Sequence, residues 1–71
     1  MRQWLKNLRE QNKWTQLDVA KKLEISEAYY SFIENGTRQK KMDISLVSKL
    51  SAIFDVSIQQ IVEWEEHGAR E

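Results

Sequence analysis

Cysteine and proline are absent from the 71-residue chain. Without thiols there can be no disulfide framework and no cysteine-based metal set, so the core has to fold on packing alone, and the cytosol is the expected compartment. Long apolar runs are also missing. None approaches the roughly 18 residues of a membrane span, and the N-terminus lacks the apolar segment of a signal peptide. One histidine, two glycines and no carboxylate pair on an evident cleft leave no metal site, no nucleophile–base pair and no phosphate-cradling loop, which argues against an enzyme. No catalytic residue, metal ligand or cofactor is expected. The length fits one domain, residues 1–71, with no room for a separate sensor, so no small-molecule ligand is expected.

An excess of one charge is missing too. The formal net charge is zero, which by itself counts against a nucleic-acid binder, because neutralising phosphates supplies most non-specific affinity. The distribution is informative where the sum is not. Residues 1–41 hold nine Lys/Arg against five acids, a balance of +4, and residues 42–71 hold two against six, a balance of −4. A basic face and an acidic base can share one neutral protein.

What is present is helical spacing throughout, with no stretch that alternates cleanly enough to be a strand. The pattern predicts five short helices. The first covers about Arg2–Asn12, with Leu5 and Leu8 buried and Trp4 partly so. Thr15 caps a second ending near Leu23, with Val19, Ala20 and Leu23 inward; Ser26 caps a third that runs to Asn35 and stops at Gly36. Asp43 caps a fourth with Ile44, Val47, Leu50 and Phe54 in its apolar stripe. Ser57 and Gln60 form a capping box for a fifth, whose stripe is Ile58, Ile61, Val62 and then Glu65. Trp14 is expected to pack under the second helix, and His67 to be exposed near a fraying end.

Thr15-Gln16 opening a short helix, Ala20 within it, Ile25-Ser26 in the turn and Ile33-Glu34-Asn35-Gly36 closing the next helix form a linked pattern. Here the sequence resembles the Cro/C1-type helix-turn-helix repressors, also called the Xre family, over about residues 4–62, leaving 66–71 as a tail. The resemblance implies a compact, all-α, five-helix, lambda-repressor-like domain whose second and third helices form the helix-turn-helix, a sequence-specific transcriptional regulator of the prophage or mobile-element type. The implied partners are a near-palindromic duplex operator and a second copy of the chain, with no membrane involved.

The third helix would enter the major groove with Glu27, Ala28, Tyr29, Ser31 and Phe32 as candidate base readers. Glutamate can accept from a cytosine amino group, and Ala28, Tyr29 or Phe32 can pack on thymine methyls. By resemblance, Gln16 contacts a phosphate, with Thr15 and Ser26 at neighbouring helix starts, and Arg38, Lys40 and Lys41 clamp the backbone beyond Gly36; Lys13, Lys21 and Lys22 are outer candidates. Glu34 is implied to pair with a basic residue such as Arg9 instead of touching DNA. Dimerisation is expected through the fourth and fifth helices, with Trp64, Ile58 and Ile61 at the interface.

Plainer roles compete. Glu27 is stabilised in a first helical turn with or without DNA, Tyr29 and Phe32 can be structural, the lysines can be ordinary surface, and Trp64 can be a lid on the core. A helix-turn-helix that serves as a protein-interaction module, antitoxin-like or anti-repressor, is the alternative function. Glu24 stands where the family usually has glycine, at a turn position that needs a left-handed backbone.

Overall fold

A computed structural model describes residues 1–36 and 43–68, and the turns after three of its helices share one construction. The helices are α1 (Gln3–Gln11), α2 (Gln16–Leu23), α3 (Glu27–Asn35), α4 (Ile44–Phe54) and α5 (Ile58–Gly68), with no strand among the described residues. None is long and apolar enough to cross a membrane. α1 is one residue shorter at each end than its spacing predicts, because Arg2 and Asn12 serve as its caps.

After α1, α2 and α4 the chain turns in the left-handed conformation at Lys13 (φ 59°), Glu24 (φ 62°) and Asp55 (φ 57°). In each case the amide of the following residue reaches back five positions, Trp14 to the Arg9 carbonyl, Ile25 to Ala20 and Val56 to Ser51. These are Schellman-type closures, which commonly carry an apolar residue just past the left-handed one. Trp14, Ile25 and Val56 fill that place, and all three pack against the core. A hydroxyl cap follows at once. Thr15 Oγ1 accepts from the Asp18 amide (3.0 Å), Ser26 Oγ from Tyr29 (3.1 Å) and Ser57 Oγ from Gln60 (3.0 Å). Lys13-Trp14-Thr15, Glu24-Ile25-Ser26 and Asp55-Val56-Ser57 are therefore one device used three times: a left-handed polar residue, an apolar plug and a cap. α3 closes differently, at a glycine, Gly36 at φ 68°.

Thr15 forms the full capping box, since the Asp18 carboxylate also accepts from the Thr15 amide at 2.8 Å. That backbone bond, followed by the Thr15 hydroxyl, holds the Asp18 carboxylate below its ordinary range. The box is thus fully formed at neutral pH and weakens only as strong acid protonates Asp18. At Ser57 just the serine half of the expected box is made. Asp43 Oδ1 accepts from the Leu46 amide at 2.7 Å and starts α4 as expected.

Left-handed backbone costs a residue with a Cβ about 1 kcal/mol relative to glycine. Glu24→Gly should therefore leave stability unchanged or raise it by up to about 1 kcal/mol, the gain being limited by glycine's greater freedom in the unfolded chain. A thermal melt checks this, and a clear fall in melting temperature would contradict it.

Leu5, Val19, Ala20, Leu23, Tyr30, Ile33, Leu46, Val47, Leu50, Phe54 and Ile61 form the core. Ala20 is fully buried where α2 and α3 pack, and its small side chain lets them approach. Three expectations need correction. Leu8 is only half-buried. Ile44 is 72% exposed, and Leu46 takes its place inside; at about 100° per residue Ile44 lies roughly 105° from the centre of the stripe made by Leu46, Val47, Leu50 and Phe54. On α5, Ile58 and Val62 are 41% and 43% exposed, and the inward line is Ile61, Trp64 and Glu65. α1 causes this rotation: Trp64 stacks on Trp4 with centroids 5.4 Å apart, and Glu65 Oε1 receives Arg2 Nε at 2.7 Å and Trp4 Nε1 at 3.0 Å.

Candidate nucleic-acid interface

Glu24 closes α2 in the left-handed region, Ile25 plugs the turn and Ser26 caps α3, so two short helices pack against each other across a three-residue connection. α3 turns Tyr30, Ile33 and Glu34 inward. Its opposite face carries the residues expected to read bases. Glu27, Ala28 and Tyr29 are exposed, and Ser31 and Phe32 are half-buried. Tyr29, at 40% exposure, also borders a shallow groove with Leu23, Ile25, Asp43, Ser45, Leu46 and Lys49. Ser31 Oγ accepts from Asn35 Nδ2 at 3.3 Å. The solvent-facing end of α3 is thus its N-terminal turn, where backbone amides and Glu27 lie together.

The candidate phosphate ligands Thr15, Gln16 and Ser26 all sit at the starts of α2 and α3. Thr15 and Ser26 accept capping bonds through their oxygens; the Thr15 hydroxyl also bonds the Asp18 carboxylate, whereas the Ser26 hydroxyl keeps its hydrogen to donate. Gln16 is half-buried, and its Nε2 donates to Glu34 Oε2. Arg38, Lys40 and Lys41 lie outside the described residues. Lys13 and Lys21 are exposed, whereas the Lys22 ammonium sits 4.6 Å from the Trp14 ring centroid in a cation–π contact. Trp14 in turn meets Phe54 at 5.5 Å, under α2 as expected.

Behind this face lies a buried polar cluster. Glu34, 1% exposed, receives Arg9 Nε at 2.9 Å and Nη2 at 3.5 Å, while Arg9 Nη1 donates to the Trp14 carbonyl at 3.1 Å. The pairing expected for Glu34 is present, and the side-chain bond to Glu34 raises the Arg9 pKa further. Tyr30 is fully buried nearby, and its hydroxyl has no hydrogen-bond partner. Burial, and then the Glu34 charge, push the phenol well above its ordinary value of 10.0. Folding therefore favours the neutral phenol, so this contribution to stability is complete below pH 10 and is lost as the pH rises from there toward the folded-state value. Tyr30→Phe should abolish that part of the alkaline loss and, by deleting an unpaired buried hydroxyl, leave neutral-pH stability unchanged or up to about 1 kcal/mol higher. Melts from pH 7 to 11 test it, and an undiminished alkaline loss in the variant would refute it.

Arg2 has no counterpart among the sequence expectations. It is 8% exposed, its backbone amide donates to the Glu34 carbonyl at 2.8 Å, and its guanidinium bridges Glu65 and the Ile33 carbonyl. It places a cation at the C-terminal end of α3, a helix with no basic residue of its own in its last turn. Nothing in the local pattern around Arg2 signals this, because both partners are more than 30 positions away.

For the dimer candidates, Trp64 is half-buried against Trp4, Ile61 is fully buried in the core, and Ile58 is exposed. Ile58 and Val62, one helical turn apart, are the large apolar side chains that α5 leaves in solvent.

Two short helices crossing at a plugged turn, with the second presenting its N-terminal turn outward, define a helix-turn-helix DNA-binding domain. The helix-turn-helix family model matches residues 5–61, and the chain belongs to the Cro/C1-type helix-turn-helix family of transcription regulators, which is not a family of enzymes. A similar protein is the uncharacterized HTH-type transcriptional regulator YqaF of Bacillus subtilis strain 168, 34% identical over 73 residues that cover all of this chain and 96% of YqaF. No solved structure gives a significant match.

Proposed function

We propose that this regulator is a cytoplasmic repressor that occupies a near-palindromic operator as a homodimer, placing α3 of each copy in successive major grooves about 34 Å apart. The observation that carries the reading is the exposure of Glu27, Ala28 and Tyr29 at the capped start of α3. Glu27 accepts from cytosine N4, and Ala28, Tyr29 and Phe32 meet thymine methyls, with Ser31 beside them. Thr15, Gln16 and Ser26 hold phosphates, and Arg38, Lys40 and Lys41 supply the flanking positive charge. The dimer contact falls on the α5 side, where Ile58 and Val62 are exposed next to the half-buried Trp64.

Selection of bound duplexes from a random pool at low and physiological salt tests this. An enriched inverted repeat is the expected result, with affinity falling steeply as salt rises. Glu27→Gln or Phe32→Ala should then shift the preferred half-site by about 1–3 kcal/mol at the affected base pair. Unchanged preference in both variants would remove these residues as readers. Failure to bind at either salt would favour the protein-interaction role instead.

A further inference from the structure

The family resemblance implies a phosphate contact for Gln16, and the structure adds what holds its side chain. We infer that the buried Arg9–Glu34 pair is a positioning device for Gln16, presenting one hydrogen of its amide to the DNA backbone. The inference rests on the DNA-binding reading.

Three contacts carry it. Gln16 Nε2 donates to Glu34 Oε2. The opposite orientation of the amide would set its carbonyl oxygen against a carboxylate, two acceptors with no hydrogen between them, so Glu34 dictates which end of the amide faces inward. A primary amide nitrogen carries two hydrogens. With one bonded to Glu34, the other remains on the same nitrogen to donate elsewhere, and Gln16 is half-buried, not enclosed, at a helix start.

The second contact is the pair itself. Arg9 approaches both oxygens of Glu34, at 2.9 and 3.5 Å, so the buried carboxylate orients Gln16 while its charge is offset and does not repel an incoming phosphate. The third is Arg9 Nη1 on the Trp14 carbonyl at 3.1 Å, immediately before the Thr15 cap. One guanidinium therefore fixes the backbone entering α2 and, through Glu34, the first side chain of α2. A free glutamine would lose rotamer freedom on binding phosphate; this one has lost it already on folding.

The test is a double-mutant cycle on the selected duplex across a salt series, with Gln16→Ala, Glu34→Gln and both together, after melts confirm cooperative folding. Gln16→Ala should weaken binding about two- to tenfold, the range of one neutral hydrogen bond, with an unchanged salt slope, because a neutral amide releases no counterion. Glu34→Gln should weaken binding when Gln16 is present and have little further effect in the Gln16→Ala background. Equal losses in both backgrounds would show that Glu34 acts on the fold in general and overturn the inference, as would wild-type affinity in Gln16→Ala.

The side-chain amide signals of Gln16 in the free protein give a reading that needs no DNA. One NH₂ hydrogen should be displaced and slow to exchange, and the signal should move in Glu34→Gln. Signals typical of a mobile exposed glutamine would overturn the positioning even if wild type bound no duplex or Glu34→Gln did not fold. Wild type failing to bind any duplex while its amide is held would instead count against the DNA-binding reading.

Discussion

Glu34→Ala is expected to destabilise the protein by about 3–5 kcal/mol, the usual cost of removing one partner of a buried ion pair. Glu34 is 1% exposed and Arg9 13%, so the orphaned guanidinium would keep its contact with the Trp14 carbonyl but lose the carboxylate that offsets its charge. Gln16 would lose its acceptor, and a cavity would open beside the unpaired Tyr30 hydroxyl. For a small domain whose whole stability lies in the 5–15 kcal/mol range, such a loss leaves a large unfolded fraction at moderate temperature. Replacing both Arg9 and Glu34 by apolar residues of similar size should cost much less, because no charge is then left buried alone. Denaturant unfolding of the single and double variants measures both effects. A loss under about 1 kcal/mol for Glu34→Ala would mean that solvent already screens the pair.

Trp64→Ala is expected to cost about 2–3 kcal/mol of stability in the isolated protomer. Full truncation of a core aromatic costs about 3–5 kcal/mol, and Trp64 is only half-buried, but its loss also forfeits the offset stack on Trp4. Trp4 would be left with its indole N–H still on Glu65 and one face open to water. The result should not depend on protein concentration, because the stack lies within one chain. This separates the roles open to this residue: a loss that appears only under dimerising conditions would make Trp64 an interface anchor instead of the joint between α1 and α5. Val62→Glu, on the exposed face of α5, is the matching probe of the dimer, and should leave the protomer's melt within about 0.5 kcal/mol.

The helix starts were legible because each is a local event. Thr15, Ser26, Asp43 and Ser57 bond an amide three residues away, so residue type and spacing suffice. The inward faces of α2 and α3 were legible for a related reason. Val19, Ala20, Leu23, Tyr30 and Ile33 are apolar on one side and flanked by polar residues on the other, which leaves a single way to turn each helix. The ends were harder. Only Gly36 announces itself, while Lys13 and Asp55 adopt left-handed backbone without any helix-stopping residue type; the readable signal was the apolar-hydroxyl pair that follows each of them. α4 and α5 were turned wrongly in part because Ile44, Ile58 and Val62 extend the apolar pattern round the helix, and periodicity cannot say which of several apolar lines is covered.

The sequence by itself determined the five helices and the caps of four of them, which rest on short-range chemistry, while the helix-turn-helix and the pairing of Arg9 with Glu34 came from the pattern shared with the family. Tertiary structure alone decided how α5 is rotated, why Trp64 faces Trp4, that Arg2 ties the end of α3 to Glu65, and that Gln16 is held by Glu34. The physical reason is range. A cap or an apolar period is completed within one or two helical turns, whereas these contacts join residues 18 to 63 positions apart, and their geometry exists only once the helices have packed.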